Sequence, residues 1–420
     1  MKKVLWICGR LPTPLFSGDA LYSAGLLKAL AMTGDAAITV VGTRRTQQAL
    51  DDRTLGLPNT MCFDSPPFRP SGISSLLTRL PRDAYNLGTA EVARTLAQLT
   101  EQRWDWIVID HAYSSGLLPL ILQARKHASI CYVAHNAEGK IRPEIARHFG
   151  NPLRRIVMGL DAEKYRRLEN RILEVADAVI CITESDAVYF KQLTKSIHVA
   201  PPVYLGHANP ARSIEASCPR SLLLLGEFEW IAKQKNLELI VEALLPSLKQ
   251  LGVTLDVVGS VSQAIRNRYA HDGSNLNFHG RVADISPFLR GSRGGLVADL
   301  LGGGFKLKVM DYAFERLPIF GIRQALAGTT SEEQSAMFLA DDLGNLAATI
   351  ARYIDDLGAL NRNQDALFRL FSDRFGPAAG IARARSIFSL KEPQHPFDSA
   401  HHSEKEFVES DDTLPSDRRH

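Results

Sequence analysis

A chain of 420 residues, 45% of them hydrophobic, is long enough for two or three domains with buried cores. Its net charge of +3 is too small to imply a nucleic-acid partner. The five cysteines, Cys8, Cys62, Cys131, Cys181 and Cys218, are odd in number and lack metal-ligand spacing. Cys8, Cys131 and Cys181 lie in apolar runs and read as buried free thiols of a reducing compartment.

The start, Met1 to Cys8, carries lysines before an apolar run too short for a signal peptide, and no later segment reaches membrane-spanning length. These features predict a cytoplasmic protein. Strand-like runs then alternate with helical patterns. Val4 to Cys8, Ile38 to Gly42, Trp106 to Asp110, Ile130 to Ala134, Ala178 to Ile182 and Ile197 to Ala200 read as strands. Helical patterns fill Ala20 to Met32, Ala90 to Gln102, Leu117 to Lys126 and Glu184 to Leu193. Strands without polar alternation, separated by helices, predict a parallel sheet covered on both faces, a Rossmann-like domain over residues 1–200. Pro201 to Pro219 reads as a linker. A second alternation (Ser221 to Leu225, Leu255 to Val258, Leu276 to Phe278, Leu296 to Ala298, Leu317 to Phe320) predicts another Rossmann-like domain over 220–390, its last helices packing back on the first domain. The polar stretch 391–420, with His401-His402, reads as a disordered tail. Two such domains place ligands in the cleft beyond the carboxyl ends of their strands.

Three junctions carry chemistry. After the first strand, Ser17 or Asp19 can cap the next helix and Gly18 permits close backbone approach. No G-x-G-x-x-G occurs at that turn, which argues against a nicotinamide-dependent oxidoreductase, and no Walker loop is present. His135-Asn136-Ala137-Glu138 follows a buried strand and points into the cleft, where a histidine can bind a sugar hydroxyl or stabilise charge. Asp110-His111 is a second candidate of the same kind. In the second domain, Gly302, Gly303 and Gly304 precede a helix whose Val309, Tyr312 and Ala313 share one face, a backbone cradle for phosphate with Lys306 and Lys308 beside it. Asp311, one turn on, can accept hydrogen bonds from a ribose. The same spacing also fits a tight turn with solvated lysines. Between the domains' landmarks, Lys140 to Glu174 is helical and basic with interspersed apolar residues, a pattern that suits either an anionic membrane surface or a helix packed on its own sheet.

The stretch Gly302 to Pro318 resembles the donor-site motif of glycosyltransferase family 4 and its GT-B relatives, roughly G-x-G-x-x-x-K-x-x-E-x-x-A-x-x-x-P-V. Gly302, Gly304, Lys308, Asp311 and Pro318 occupy that pattern; Phe314 takes its alanine position, and Gly303 stands where many members carry a glutamate. Ser17 and Gly18 are similar to the family's N-terminal glycine loop, and His135 with Asn136 and Glu138 to its His-Asn-x-Glu motif. At Gly226 to Asn236 the resemblance assigns the diphosphate lysine to Lys235, with Lys233 as a substitute; Glu227 stands at the usual arginine and Trp230 at an aromatic position of a related subset. Gly259 and Gly280-Arg281-Val282 resemble the strand-end glycine and the base-binding turn.

The resemblance implies a GT-B α/β fold and transfer, with retention and no obligatory metal or cofactor, from a nucleoside-diphosphate sugar to a glycan or lipid-linked acceptor. An exopolysaccharide or lipopolysaccharide unit at the inner face of the cytoplasmic membrane would fit. It assigns catalysis to His135, Lys235 and Asp311. Donor binding falls to Gly18, Gly226, Lys235, Arg281, Val282, Gly302, Gly303, Gly304, Phe305, Lys308 and Asp311, and acceptor contact to Ser17, Asp19, Asn136 and Glu138. Two other readings stay open: a GT-B sugar-nucleotide epimerase, and a non-catalytic sugar-nucleotide-binding or partner protein with a degenerate site.

Overall fold

The computed structural model describes residues 1–389 apart from 13–17, 44–55, 58, 66–73, 89, 148–149, 195, 230, 270–272 and 302–303. Ser17, Gly302, Gly303, Trp230 and the tail 390–420 therefore lie outside the described residues.

The first domain holds β1 (Lys2–Arg10), β2 (Ala36–Thr43), β3 (Thr60–Ser65), β4 (Trp106–Asp110), β5 (Ser129–Ala134), β6 (Ala178–Cys181) and β7 (Ile197–Val199). They form a parallel sheet in the order β3-β2-β1-β4-β5-β6-β7. The second holds β8 (Ser221–Leu225), β9 (Thr254–Val258), β10 (Leu276–Gly280), β11 (Gly294–Val297), β12 (Ile319–Ile322) and β13 (Phe338–Ala340), parallel in the order β10-β9-β8-β11-β12-β13. Each chain path runs outward, returns to the middle and runs out the other way. The reversal between β1 and β4, and between β8 and β11, leaves a crevice at the strands' carboxyl ends. The central strands are apolar throughout because helices cover both faces: Val4 to Ile7 and Leu222 to Leu224 are at most 1% exposed.

Cys131 and Cys181 are buried free thiols and Cys8 is buried with them, as their apolar surroundings suggested. Two outer strands, β3 and β13, escaped the sequence reading. Each has one neighbour only, so its residues need not form a continuous apolar run. β11 starts two residues early because it begins with glycines. A methyl group added at Gly294 would lie 2.6 Å from the Phe320 ring, and one at Gly295 would lie 2.5 Å from Tyr312. The basic stretch Lys140 to Glu174 is two helices, Glu138–Arg147 and Pro152–Val175. Asn151 caps the second by accepting from the Arg154 amide at 3.2 Å, and Pro152 fits its first position.

The chain crosses between domains twice. Within Pro201 to Pro219, the Arg212 guanidinium donates to the carbonyls of Leu289, Arg290 and Ser292, which ties this linker to the second domain. Past the helix Leu357–Phe375, the helix Pro377–Ile387 returns to the first domain, where Ala384, Ile387 and Phe388 join its core. Trp106 Nε1 donates to the Phe388 carbonyl at 3.2 Å. Among the described residues no helix is long and apolar enough to cross a membrane.

Candidate functional site

The two crevices face each other across one cleft of about 790 Å³. From the first domain Gly18, Asp19, His111, His135, Asn136 and Thr183 line it. From the second, Gly226, Glu227, Lys233, Gly259, Arg281, Val282, Gly304, Phe305, Lys306, Lys308 and Asp311 do.

On the first wall the ends of β4 and β5 bring three ionisable groups together. His135 Nε2 lies 2.7 Å from Asp110 Oδ1, and the other carboxylate oxygen accepts from Trp6 Nε1 at 2.8 Å. Ser23 Oγ stands 3.4 Å from the same imidazole nitrogen. Asp110, only 1% exposed, thus fixes the orientation of the histidine from two neighbouring strands. His111 stacks on His135 with ring centres 4.6 Å apart, and the Tyr113 ring lies tilted against it at 4.3 Å. The His111 backbone has φ of 76° and ψ of 143°, a conformation unfavourable for a side-chain-bearing residue by roughly 1–3 kcal/mol. Burial, and then the neighbouring His135, push His111 down to about 3, so it stays neutral.

Asn136 reaches across the cleft. Its side-chain oxygen is 3.6 Å from where a Cβ on Gly304 would stand, and Gly304 has φ of 78°, which glycine adopts without penalty. Glu138 does not join this group. As the first residue of its helix it turns into the domain, 4% exposed, and accepts from Arg142 Nε at 2.6 Å. The neighbouring amides of Glu138 and Gly139 donate to the buried Glu169 carboxylate at 3.2 and 2.8 Å, which anchors the helix start behind the His135-Asn136 turn. Burial pushes Glu169 up to about 7.

The second wall is cationic. Lys308 Nζ is 2.6 Å from Asp299 Oδ2, and Lys233 Nζ is 3.6 Å from Oδ1 of the same carboxylate. Burial opposes ionisation of Asp299, but Lys308 and then Lys233 hold it well below the usual carboxylate range. Lys306 stands close by and burial pushes it down to about 8. Asp311 lines the cleft one turn beyond Lys308; burial first, and Glu315 second, push it up to about 7. Phe305 lies against Phe375 at 5.1 Å.

The glycine cradle departs from expectation. The helix Lys308–Phe314 begins four residues after Gly304, so Gly304 does not open its first turn. Lys235 departs further. Its helix, Ile231–Leu251, begins ahead of Lys233 and Lys235, which puts both lysines inside the helix. Two residues apart on a helix is about 200° of rotation, so they point to opposite sides. Lys233 faces the cleft. Lys235 is 53% exposed, pairs with Glu238 at 3.6 Å and does not line it. Glu227, at the position where the motif has arginine, accepts from Arg281 at 2.8 and 3.2 Å and from Ser260 Oγ. Arg281 and Val282 lie at the cleft's edge. The sequence reading missed Asp299; the signal was an acid at the end of an apolar strand directly before a glycine turn. Among the described residues no cluster of three or more His, Cys, Asp or Glu could hold a metal ion.

Residues 219–356 match the family model described as glycosyl transferases group 1. The fold is GT-B, and the matched residues lie in its second domain. That match places the domain among the transferases. HepE of Anabaena, solved with UDP and glucose, superposes with a TM-score of 0.65 at 14% identity over 93% of this chain and 100% of its own. TarM of S. aureus, as a mutant with UDP, α-GlcNAc-glycerol and Fondaparinux, gives 0.63 at 10% identity over 92% and 100%. The lipopolysaccharide outer core galactosyltransferase WaaB gives 0.53 at 14% over 92% and 99%. Identities this low speak for the GT-B architecture. No curated protein is a significant match to the sequence.

Proposed function

We propose that this protein is a retaining glycosyltransferase of the family 4 kind, moving a sugar from a nucleoside-diphosphate sugar to a glycan or lipid-linked acceptor in exopolysaccharide or lipopolysaccharide assembly. The observation that carries the reading is the pairing of walls. Lys233, Lys306 and Lys308 converge on the second side, and a hydrogen-bonded His135 with Asn136 stands opposite. A leaving nucleoside diphosphate develops negative charge, and fixed cations in a partly desolvated cleft stabilise it more than water does. In this reading Lys308 and Lys233 neutralise the diphosphate, with Lys233 in the place that the resemblance assigned to Lys235. Asp311 holds the ribose, the backbone near Arg281 and Val282 meets the base, and His135 orients the transferred sugar. Asp19 and Asn136 face the acceptor, and Gly226 and Gly259 let the backbone close on the nucleotide.

Uracil is the base to test first, because HepE and TarM were solved with UDP. A thermal-shift screen against UDP, GDP, ADP and TDP and their sugars checks the site. A ligand at about 100 times its Kd adds about 2.7 kcal/mol of apparent stability. A shift that disappears in Asp311→Ala supports the reading, and silence from every nucleotide overturns it. Glu227 favours one rival, a sugar-nucleotide binder without turnover, since it occupies Arg281 at the cleft's edge. Release of nucleoside diphosphate with a candidate acceptor excludes that rival, and a product sugar nucleotide would point to an epimerase.

The acceptor side fits action at the inner face of the cytoplasmic membrane. Leu153, Ile156 and Leu160 recur at helical spacing on the Pro152–Val175 helix and are 70%, 61% and 55% exposed, with Arg154 and Arg155 beside them. Apolar side chains flanked by arginines suit an anionic lipid surface. Sedimentation with phosphatidylglycerol vesicles should carry the protein down, and Ile156→Glu should reduce the bound fraction several-fold. Equal binding by both proteins would remove the membrane reading.

A further inference from the structure

We propose that Asp299 is a positioning residue for the diphosphate site, a buried carboxylate that gathers the Lys308 and Lys233 ammonium groups at one point of the cleft wall. The inference rests on the donor reading above. Asp299 stands two residues past β11, a central strand of the sheet, and its side chain is 3% exposed. Lys308 opens the helix Lys308–Phe314, and Lys233 is the third residue of the helix Ile231–Leu251. The two helices meet this carboxylate through different oxygens, Oδ2 at 2.6 Å and Oδ1 at 3.6 Å. One acid therefore fixes two lysines whose segments are far apart in the chain.

The carboxylate also opposes loss of the Lys308 proton. Lys308 is faced by Asp299, Lys233 and Lys306, and Tyr312 lies below with its hydroxyl donating to the Leu223 carbonyl at 3.0 Å. Burial and the positive charge of Lys233 both pull Lys308 down, and Asp299 opposes them. Remove the acid and nothing in that set favours the charged lysine. A neutral Lys308 attracts a diphosphate weakly. The opposite expectation is that an acid beside an anion site only repels, so that its removal tightens binding at every pH.

Inorganic pyrophosphate separates the two, because it probes the lysines without base or sugar. The full-length wild type, Asp299→Asn and Lys308→Met are titrated by calorimetry from about pH 6 to about pH 9. Asp299→Asn should bind within about threefold of wild type at the acid end and at least about tenfold more weakly at the alkaline end, a shift of one pKa unit being tenfold. Added to Lys308→Met, it should cause a smaller loss than in the wild type, the remainder passing through Lys306. An unchanged pH profile, or tighter binding throughout, in a variant that melts cooperatively would overturn the role of Asp299. Should Asp299→Asn not fold, Lys233→Met in a Lys306→Met background tests the same coupling: losing the neighbouring charge should move the alkaline loss to higher pH, and an unmoved profile overturns the proposal. A wild type that binds neither pyrophosphate nor any nucleoside diphosphate would instead overturn the donor reading, and this inference with it.

Discussion

The two walls of the cleft solve different problems with different materials. The second-domain wall gathers Lys233, Lys306 and Lys308 around Asp299, a charge cluster suited to holding an anion. The first-domain wall gathers Asp110, His111 and His135, a buried hydrogen-bonded group with one neutral and one paired imidazole. One wall can bind a diphosphate through charge alone. On the proposed reading, the other contributes only when a sugar stands over it. Affinity for nucleotide and rate of transfer should therefore separate by domain.

The largest expected effect tests that division at its centre. Lys308→Met should lower donor turnover by about 10²–10³, the usual consequence of deleting one group that stabilises developing charge. Nucleotide affinity should fall with it, measured by calorimetry. His135→Ala should lower turnover by a comparable order but leave nucleoside-diphosphate affinity within about twofold. A joint loss of both in His135→Ala would break the comparison.

Asp311 sharpens it through pH. Its carboxyl is raised to about 7, so the folded chain retains a proton that the unfolded chain loses near an ordinary carboxylate value. This group's contribution to stability thus falls as pH rises towards about 7 and is constant above it. Asp311→Asn should melt several degrees higher than wild type at pH 8, with the difference vanishing below about pH 4. The same substitution should weaken nucleotide binding. In the wild type, nucleotide affinity should rise as Asp311 ionises near about 7 and decline as Lys306 loses its proton near about 8. A flat profile in isothermal titrations across that range would separate both groups from the donor.

The smallest effect is the most discriminating. Lys233→Ala should raise the donor KM about tenfold, whereas Lys235→Ala, exposed and paired with Glu238, should change it less than about twofold. Reversed magnitudes would return the diphosphate to Lys235.

The second domain was the more legible half, and the reason is local. The strand ends and turn residues of that wall fall within short stretches, so Gly226, Lys308 and Asp311 could be placed by counting. The first wall draws on β1, β4 and β5 together. Trp6, Asp110 and His135 meet only because the chain returns to the middle of the sheet, and no spacing encodes that meeting. Helix phase is a subtler loss. Rotation along the helix Ile231–Leu251 turns Lys233 to the cleft and Lys235 away from it, and an expected cleft-facing Glu138 proved to be an interior partner of Arg142.

Periodicity and turn chemistry in the sequence by themselves determined two parallel α/β units and the cleft between them, because burial on both faces of a strand leaves an unbroken apolar run. Only the tertiary structure decided which charges meet. Asp299 with its lysines, Asp110 with His135, and Glu227 with Arg281 are contacts between segments distant in the chain, set by strand order and helix rotation, and neither quantity is written at any one place in the sequence.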